Sequence, residues 1–424
     1  MGGGLLQLVA YGAQDVYLTG NPQITFFKVA YRRHTNFALE AIEQTFNGNP
    51  TYGSRVTCQI SRNGDLINRM YLQVKVPTGG TTYVNYYGLR LLNYVEIEIG
   101  GQKIDKHYSH WLYVWNELSL PKSKRNGYNE MVGGLGGSSV AGSTLYIPLE
   151  FWFCRNIGLA LPLIALQYHE VKININFENA AKCGAGNTDT FTSSLWVDYI
   201  YLDTDERRRF AQLSHEYLIE QLQFTGQEAI SSLAVKTKLN FNHPCKELIW
   251  FIAKDTSSTT PGFTAVENVN NWFNYTTNGK SVNTLITTNK DLNEKLLQSD
   301  INYVANANSL PSNPIKEAKL VLNGNDRFYQ RPGRYFNLIQ SYQHHENIPS
   351  NAGINVYSFA LKPEEHQPSG TLNMSRIDTA VLNLNFEDSI TNVYDANNYT
   401  LFVYAVNYNV LRILSGMGGL AYSN

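Results

Sequence analysis

Two histidine pairs carry side chains that bind metal ions in many proteins. His107 and His110 are three residues apart, a spacing that puts both rings on one face of a helical turn. A zinc site takes three or four protein ligands, and we identify no nearby carboxylate or cysteine that completes one. We therefore interpret this pair as structural.

A second group, His344, His345 and Glu346, has the residue types of the metal site in cupins, which are built on a jelly roll. A cupin site takes an HxH motif with a Glu, and a later His, from barrel strands. Here the doublet lies in a polar turn before Pro349. We interpret it as structural too.

The carboxylates of Asp203, Asp205 and Glu206 are close enough in sequence for acid–base catalysis. Three arginines follow at residues 207–209 and favour local ion pairing at a domain junction instead. The glycine-rich residues 133–138 lack the Lys-Ser/Thr of a phosphate loop and are interpreted as a flexible connection. The residue types therefore predict no catalytic, cofactor or metal site.

Three Asn-x-Ser/Thr sequons, the acceptors of N-linked glycans, begin at Asn274, Asn373 and Asn398. An asparagine-rich chain contains several such triplets by chance. Asn274 lies in a long polar insertion and Asn398 in a connection between predicted strands. These two are the candidates for N-glycosylation.

Strands and tight turns must position all of these residues. Residues 94–105 (YVEIEIGGQKID) alternate apolar and polar side chains, the period of a strand with one buried face. Gly100-Gly101 then fits a type I′ hairpin turn, because both central positions need positive φ. Residues 318–328 (AKLVLNGNDRF) repeat this plan around Asn323-Gly324.

The repetition extends along the chain. Residues 42–48 (IEQTFNG) return as 219–226 (IEQLQFTG), 146–149 (YIPL) as 356–361 (VYSFAL), and 171–177 (VKININF) as 380–386 (AVLNLNF). The order is the same in both halves, and offsets of roughly 180 to 220 residues are far longer than those of solenoid repeats. The chain therefore contains two similar domains in tandem.

Strand signals follow one another in both halves, about eight in each. They cover residues 37–46, 54–61, 69–76, 93–99, 102–108, 144–153, 170–178 and 195–203, then 217–225, 234–242, 247–253, 316–322, 325–331, 353–361, 379–387 and 400–412. Helical patterns are confined to residues 110–118 and 291–298. The sequence thus predicts an all-β chain of two eight-stranded antiparallel sandwiches or jelly rolls.

Composition shifts predict the domain boundaries. Residues 1–25 are punctuated by glycine and by Asn21-Pro22, which indicates an N-terminal arm. The charge-rich residues 204–213 divide the remainder into a first domain, 26–212, and a second, 213–424. The second carries an insertion rich in Asn, Thr and Ser, residues 254–314, and loops of this length are often functional.

Charge and hydrophobicity exclude several classes of protein. A net charge of −1 gives no basic field, so we expect no direct contact with nucleic acid. Four widely separated cysteines predict reduced thiols rather than a disulfide framework. The longest apolar run, residues 159–166, is too short to span a bilayer, and the N-terminus lacks a signal-peptide pattern. Only 16% of residues are charged, which favours a surface that loses water easily in protein contacts.

Several segments resemble the major capsid proteins of nucleocytoplasmic large DNA viruses, above all those of chlorella viruses and other algal viruses. The similar segments are residues 6–28 (LQLVAYGAQDVYLTGNPQITFFK), 60–66 (ISRNGDL), 99–108 (IGGQKIDKHY), 159–171 (LALPLIALQYHEV), 218–226 (LIEQLQFTG) and 408–422 (YNVLRILSGMGGLAY). The resemblance runs from end to end and fails only in residues 122–143 and 254–314.

This resemblance implies a double jelly roll, three chains of which form a capsomer with six lobes. Such a homotrimer has a nearly hexagonal outline, so identical copies tile the facets of an icosahedral shell. The implied partners are further copies of the chain, minor capsid proteins and a vertex (penton) protein, with the base and the arm facing an internal membrane. The implied location is the virion, after assembly in the host cytoplasm.

Two other classes of function stay open beside this structural one. A glycan- or receptor-binding jelly-roll module would act through residues 254–314 and would bind on a glycan array. A jelly-roll metal enzyme would contain stoichiometric metal when purified. The function that we predict is assembly of a shell, with no enzymatic activity and no cofactor.

Overall fold

The computed structural model describes residues 13–14, 34–78, 83–134, 139–185, 189–230, 232–254, 272–276, 313–387 and 399–422. Met1–Phe37 form a unit of their own, and Ala38–Asn424 form a second compact unit, which is the one described below. The predicted arm lies outside the described residues except at 13–14. So do the predicted helix 291–298 and most of the insertion.

The first half of the chain forms one jelly roll, the first lobe. Its strands are β1 (Phe37–Gln44), β2 (Arg55–Gln59), β3 (Leu66–Lys75), β4 (Leu92–Ile99), β5 (Gln102–Tyr108), β6 (Thr144–Pro148), β7 (Leu161–Pro162), β8 (Val171–Phe177) and β9 (Thr192–Leu202). One sheet has the order β1-β9-β3-β6, with β7 beside β3, and the other has the order β2-β8-β4-β5. Strands distant in sequence thus lie side by side, as a jelly roll requires.

The second half repeats this topology and forms the second lobe. Its strands are β10 (His215–Phe224), β11 (Glu228–Ala229), β12 (Ala234–Lys238), β13 (Pro244–Lys254), β14 (Ile315–Leu322), β15 (Asn325–Asp326), β16 (Arg331–Pro332), β17 (Asn355–Ser358), β18 (Leu372–Asn373), β19 (Ala380–Phe386), β20 (Tyr399–Leu414) and β21 (Met417–Leu420). The sheet orders are β10-β20-β13-β17 and β12-β19-β14-β15. Strand for strand they match the first lobe, which confirms the predicted double jelly roll.

Helices occupy connections between these strands. They are α1 (Tyr87–Leu91), α2 (Ser109–Ser119), α3 (Lys122–Val132), α4 (Trp152–Arg155), α5 (Thr204–Gln212) and α6 (Gln340–His344), the last continuing a π-helical turn at Tyr335–Ile339. Single 3₁₀ turns lie at Ile157–Leu159, Ala180–Cys183 and Met374–Arg376. No helix within the described ranges is long and apolar enough to cross a membrane.

Alternation along the strands builds a core between the sheets of each lobe. In β3, Leu72 and Val74 are fully buried against Ile97 and Ile173 of the opposite sheet, while the residues between them face outward. In the second lobe, Leu248, Trp250 and Ile252 of β13 are likewise buried in the core of that lobe. Burial of each such aliphatic side chain stabilises the fold by about 1.5–3 kcal/mol.

The duplicated segments occupy equivalent places. The predicted repeats fall on β1 and β10, on β6 and β17, and on β8 and β19. Both hairpin turns are also confirmed, since φ is 58° at Gly100 and 84° at Gly101, and 49° at Asn323 and 78° at Gly324.

All sixteen predicted strands exist, and the errors concern their ends and the helices. The strand predicted at 144–153 stops at Pro148, and Trp152–Arg155 turn into a helix. The strand predicted at 325–331 pairs with β14 only at its two ends, through Asn325–Asp326 and through Arg331 of β16. The sequence pattern gave no signal for α3 or α5, because both are mostly exposed helices with few apolar side chains. All four cysteines are free thiols, as predicted.

Candidate functional site: the seam between the lobes

The outward face of the sheet β10-β20-β13 is buried, although it points away from the core of its own lobe. Leu248, Trp250 and Ile252 face the second lobe's core, while Ile249 and Phe251 face the first lobe and join its core. A sheet with two apolar faces needs a cover on each. The cover on the outer face is β5 and α2, and we call this contact the seam.

Aromatic rings fill the centre of the seam. Trp111 of α2 lies 5.7 Å from Tyr404 between ring centroids, and His110 lies 4.6 Å from Phe402. Tyr108, at the end of β5, meets Phe224 edge-on at 4.9 Å. Such pairs add about 0.5–1.5 kcal/mol each beyond the area that they bury. The outer face of the second lobe's sheet is therefore part of the first lobe's hydrophobic core, while the second lobe keeps a core of its own.

A buried charge network crosses the seam beside these rings. Glu220 of β10 lies 2.7 Å from the Lys246 ammonium and 3.2 Å from Arg155, which belongs to the first lobe. His366 is 3.5 Å away, and Lys246 also donates to the Pro363 carbonyl at 2.6 Å. Lys246 is fully buried and Glu220 is 4% exposed, so the network has little contact with solvent.

The charges in this network fix each other's ionisation. Burial alone raises the pKa of Glu220, but Arg155, His366 and Lys246 outweigh it and lower the pKa to about 2. Burial lowers the pKa of Lys246, and Glu220 opposes that effect. Glu220 therefore stays ionised at neutral pH, and its charge favours the protonated form of Lys246.

Direct hydrogen bonds fix the register of the two lobes. Asp105 accepts from the backbone N–H of Leu222 at 3.0 Å, and the Gln221 side chain donates to the Ile104 carbonyl. At the end of the chain, the hairpin β20–β21 reaches the first lobe. The N–H of Leu420 donates to Gln102 at 3.1 Å.

His107 and His110 lie at the seam but do not converge on one point. Nε2 of His107 is 2.9 Å from the carboxylate of Asp105, a nearby partner that our sequence interpretation overlooked. Nδ1 of His110 is 2.8 Å from the Tyr275 hydroxyl. Burial, with Arg90 nearby, lowers the pKa of His110, so this ring is neutral at pH 7. Both histidines pack and orient neighbouring groups.

His345 is clamped between two carboxylates. Its Nε2 is 3.0 Å from Glu247 and its Nδ1 is 2.7 Å from Glu364, while the neighbouring His344 lies 3.0 Å from the Leu361 carbonyl. Burial alone lowers the pKa of His345, but the two carboxylates raise it to about 9. The ring is thus a buried cation that ties β13 to the loop at 364. No group of three or more potential metal ligands occurs in the part of the chain that the structure describes.

The acidic cluster at the junction pairs differently from the prediction. Asp203 caps helix α5 by accepting from the N–H of Thr204 at 2.8 Å. Arg207 reaches Asp65, 3.0 Å away on the first lobe, rather than a neighbour in sequence. The prediction of local ion pairing is therefore wrong for Arg207, because its partner Asp65 is brought near by the fold of the first lobe.

The candidate glycosylation residues have different environments. Asn274 is 7% exposed, and its side-chain oxygen accepts from the backbone N–H and the hydroxyl of Thr276. Asn398 lies outside the described residues. Within the glycine-rich connection, Gly133 ends helix α3 with φ of 73°, and residues 135–138 are not described.

Sequence reasoning missed the residues that join the lobes. Glu220 lies in a repeated segment and was identified only as part of the repeat. Lys246 interrupts the apolar strand β13, and a lysine in that context signals a buried charge with a partner. Its partners could not be identified from the sequence, because Glu220 and Arg155 lie far from Lys246 along the chain.

 The three charged groups come from α4, β10 and β13, and no spacing rule connects these elements before the lobes are docked.

Two jelly rolls joined through one buried seam define the chain as a double jelly-roll protein. Comparison with known proteins then gives the family. Residues 25–203 match the family model for the major capsid protein N-terminus, and residues 206–419 match the model for the large eukaryotic DNA virus major capsid protein. The chain belongs to the major capsid proteins of large eukaryotic DNA viruses.

Individual relatives agree with this assignment. The major capsid protein of Pyramimonas orientalis virus is 52% identical over the full length of both chains, and that of Paramecium bursaria Chlorella virus 1 is 47% identical over the full length of both. The solved structure of PBCV-1 VP54 aligns with a TM-score of 0.75 at 39% identity, covering 94% of this chain and 100% of VP54. The Faustovirus major capsid protein shares the fold, with a TM-score of 0.71 at 13% identity and coverage of 97% and 96%. The family favours the structural function over the glycan-binding alternative.

Proposed function

We propose that the chain is the repeating unit of an icosahedral virus shell and works as a homotrimer with six lobes. Three two-lobed chains give a nearly hexagonal outline, so that one kind of capsomer tiles a facet. In this proposal residues 26–212 and 213–424 supply the two lobes, and residues 1–25 supply an arm at the base. Its work is assembly rather than catalysis.

The observation that supports this proposal is the seam. Shared aromatic packing and the Glu220 network join the two lobes into one block, so the angle between them is set within the chain. A shell unit needs this property, because the angle between its lobes determines whether copies close into a ring. A chain with two independently moving lobes would not specify that closure.

The proposed partners follow from the same role. Copies of the chain meet within and between capsomers, while minor capsid proteins, a vertex (penton) protein and an internal membrane meet the base or the rim. Nucleic acid is not a direct partner, in keeping with the net charge of −1. Synthesis and assembly take place in the host cytoplasm.

N-linked glycans at Asn274 and Asn398 remain part of the proposal. Since the Asn274 side chain is buried, a glycan there has to be added before residues 272–276 pack. Peptide mass mapping of virion-derived protein, before and after enzymatic deglycosylation, would show which asparagine carries a glycan.

Mass measurement in solution tests the proposed trimer. Purified full-length chain, analysed by light scattering coupled to size-exclusion chromatography at micromolar concentration, should have three times the chain mass of 47.9 kDa. Negative-stain images should show six-lobed particles. A monomer at every concentration up to tens of micromolar would overturn the proposal.

A further inference from the structure

A short segment of the insertion in the second lobe packs into the first lobe. Residues 272–276 (WFNYT) are the part of the insertion that the structure describes between its two ends, and we call them the strap. Phe273 and Tyr275 of the strap are 5% and 1% exposed, and both belong to the core cluster of the first lobe. The strap therefore contributes to the core of one lobe although its chain belongs to the other.

Two rings of the strap pack on α1 and α2. The Arg90 guanidinium of α1 lies 3.6 Å from the centre of the Trp272 ring, and the ring of His110 stacks on Trp272 at 4.4 Å. Phe273 stacks on Tyr113 of α2 at 4.8 Å. All three partners belong to the first lobe. Trp272 and Phe273 therefore depend on that lobe for these contacts.

Tyr275, the third ring of the strap, joins both lobes. Its ring stacks on Phe251 of β13 at 4.1 Å, and its hydroxyl is 2.8 Å from Nδ1 of His110. Phe251 belongs to the second lobe and His110 to the first. Tyr275 therefore makes its full set of contacts only when the two lobes are docked.

A loop of the second lobe, residues 347–353, holds the backbone of the strap. The Asn351 side chain donates to the Phe273 carbonyl at 2.7 Å. A Cβ on Gly353 would lie 1.7 Å from the carbonyl oxygen of Tyr275, so this close approach requires glycine. The strap and the loop therefore form one layer.

The same loop is bound to the C-terminal end of α2. The backbone N–H of Asn347 donates to the Leu118 carbonyl at 3.0 Å, which satisfies one of the carbonyls that a helix leaves without a partner at its end. The Ser350 hydroxyl donates to the Glu117 carboxylate at 2.6 Å. Helix α2 thus supports both the strap and the loop that holds it.

We propose that closure of the strap on α2 depends on docking of the lobes, whereas docking does not depend on the strap. The centre of the seam supports this order, because Trp111 meets Tyr404 and Arg155 meets Glu220 without any strap residue. Without α2, by contrast, the rings of the strap would lose their apolar cover. The base of the insertion is therefore fixed only in a chain whose lobes have docked. All of these contacts lie within one chain, so the proposal is independent of the trimer.

The first test opens the strap from its own side. Trp272→Ala removes the ring that contacts Arg90 and His110. Brief digestion with chymotrypsin, read by mass spectrometry, should cut the bonds after Phe273 and Tyr275 about tenfold faster than in the wild-type chain. Amide hydrogen exchange in β10, which pairs with β20 at the seam, should not change. Faster exchange in β10 as well would overturn the proposed order, because the strap would then hold the lobes together.

The second test opens the strap from the first lobe. Tyr113→Ala on α2 removes the partner of Phe273 and should accelerate the same cuts about tenfold, although the strap itself is unchanged. The matched control is Phe328→Ala, because Phe328 packs on Phe336 and Tyr357 within the second lobe. It removes a ring from the strap's own lobe and should leave the strap resistant. A folded Tyr113→Ala chain as resistant as the wild type would overturn the proposal.

Arg90→Lys replaces Tyr113→Ala if that variant does not fold. Lysine keeps a positive charge beside Glu178, which lies 3.3 Å from Arg90, but it has no flat guanidinium to stack on Trp272. The cuts in the strap should be about threefold faster, with a wild-type circular dichroism spectrum. Wild-type resistance in this variant would overturn the dependence of the strap on the first lobe. The proposed shell function would stand in that case, because it does not involve the strap.

Discussion

Glu220 is a carboxylate that the fold keeps ionised in a buried position. Its counterions come from both lobes, and each is held by packing as well as by charge. Arg155 lies over the ring of Trp115 at 4.7 Å, and Lys246 lies 5.1 Å from the ring of Tyr408. A buried ion pair adds little net stability over apolar packing, but removing one partner leaves an uncompensated charge. The network therefore specifies how the lobes dock more than it strengthens the contact.

The Glu220→Gln variant should be strongly destabilised. Lys246 would remain buried without its counterion, which costs about 3–5 kcal/mol in the free energy of unfolding. Urea unfolding at pH 7 and fixed protein concentration measures this. The control is Glu216→Gln on the same strand, because Glu216 and its partner Arg412 are 60% and 56% exposed and such pairs contribute about 0–1 kcal/mol. Similar losses in the two variants would contradict the network's role.

His345 should make the protein sensitive to alkaline pH. Its pKa is raised from 6.5 to about 9 in the folded state, so its stabilising effect is complete below about pH 6.5 and is lost as pH rises through 9. Between pH 7 and 10, this residue should account for a loss of about 2–3 kcal/mol in the free energy of unfolding.

The measurement compares urea unfolding of wild-type and His345→Gln chains across that range. Between pH 7 and 10, the free energy of unfolding of the wild-type chain should fall by about 2–3 kcal/mol more than that of the His345→Gln chain, because glutamine does not titrate. His344→Gln, at the adjacent position beside the Leu361 carbonyl, should keep the wild-type slope. A His345→Gln chain with the full wild-type slope would contradict the clamp.

At the scale of elements, the β4–β5 turn shows that a hairpin can have a second role. Gly100 and Gly101 both have positive φ, but their surroundings differ. A Cβ on Gly100 would collide with the ring of His169, whereas one on Gly101 would meet no atom within 4 Å. His169 in turn lies 2.8 Å from the Gly418 carbonyl, so the turn packs on the residue that receives the last hairpin of the chain.

Alanine at these two positions should separate turn strain from packing. Gly101→Ala should cost about 1–2 kcal/mol, the price of a left-handed conformation for an L-residue. Gly100→Ala should cost about 1–3 kcal/mol more, because His169 has to move and overpacking adds strain. Thermal and urea unfolding of the two variants measure the difference. Equal losses in the free energy of unfolding would mean that His169 moves aside without destabilising the fold.

At the scale of the whole molecule, the outer face of the second lobe's sheet completes the hydrophobic core of the first lobe. Rings on α2 and on β20 belong to the same cluster, although they come from different lobes. The covalent connection between the lobes, helix α5, has no fully buried residue. The seam rather than the connecting chain therefore holds the lobes together.

Cutting that connection should leave the lobes associated. A protease site inserted between Gln212 and Leu213, where Leu213 is 62% exposed, allows the folded chain to be nicked. We expect the two fragments to elute together in native buffer and to separate only in denaturant, since separation would expose Phe251, Phe402 and Tyr404 to water. An uncut sample carrying the same insertion is the control. Fragments that part in native buffer would show that the seam is weak.

Local sequence patterns determined most of the fold. Alternating side chains located all sixteen strands, the turns at Gly100-Gly101 and Asn323-Gly324 were predictable from the need for positive φ, and the repeated segments revealed the duplication. These signals depend only on residues close in sequence, so they can be read without the fold. Strand ends and the exposed helices α3 and α5 were less predictable, because their few apolar side chains give a weak pattern.

Only the tertiary structure decided how the two lobes meet. The outward residues of β13 are as apolar as its inward ones, and the sequence cannot tell which other element covers them. The partners Glu220 and Arg155, and the clamp of Glu247 and Glu364 on His345, are far apart along the chain. Glu220 meets Arg155 because the lobes dock, and the clamp on His345 forms because the second lobe folds, so neither contact follows from a local pattern.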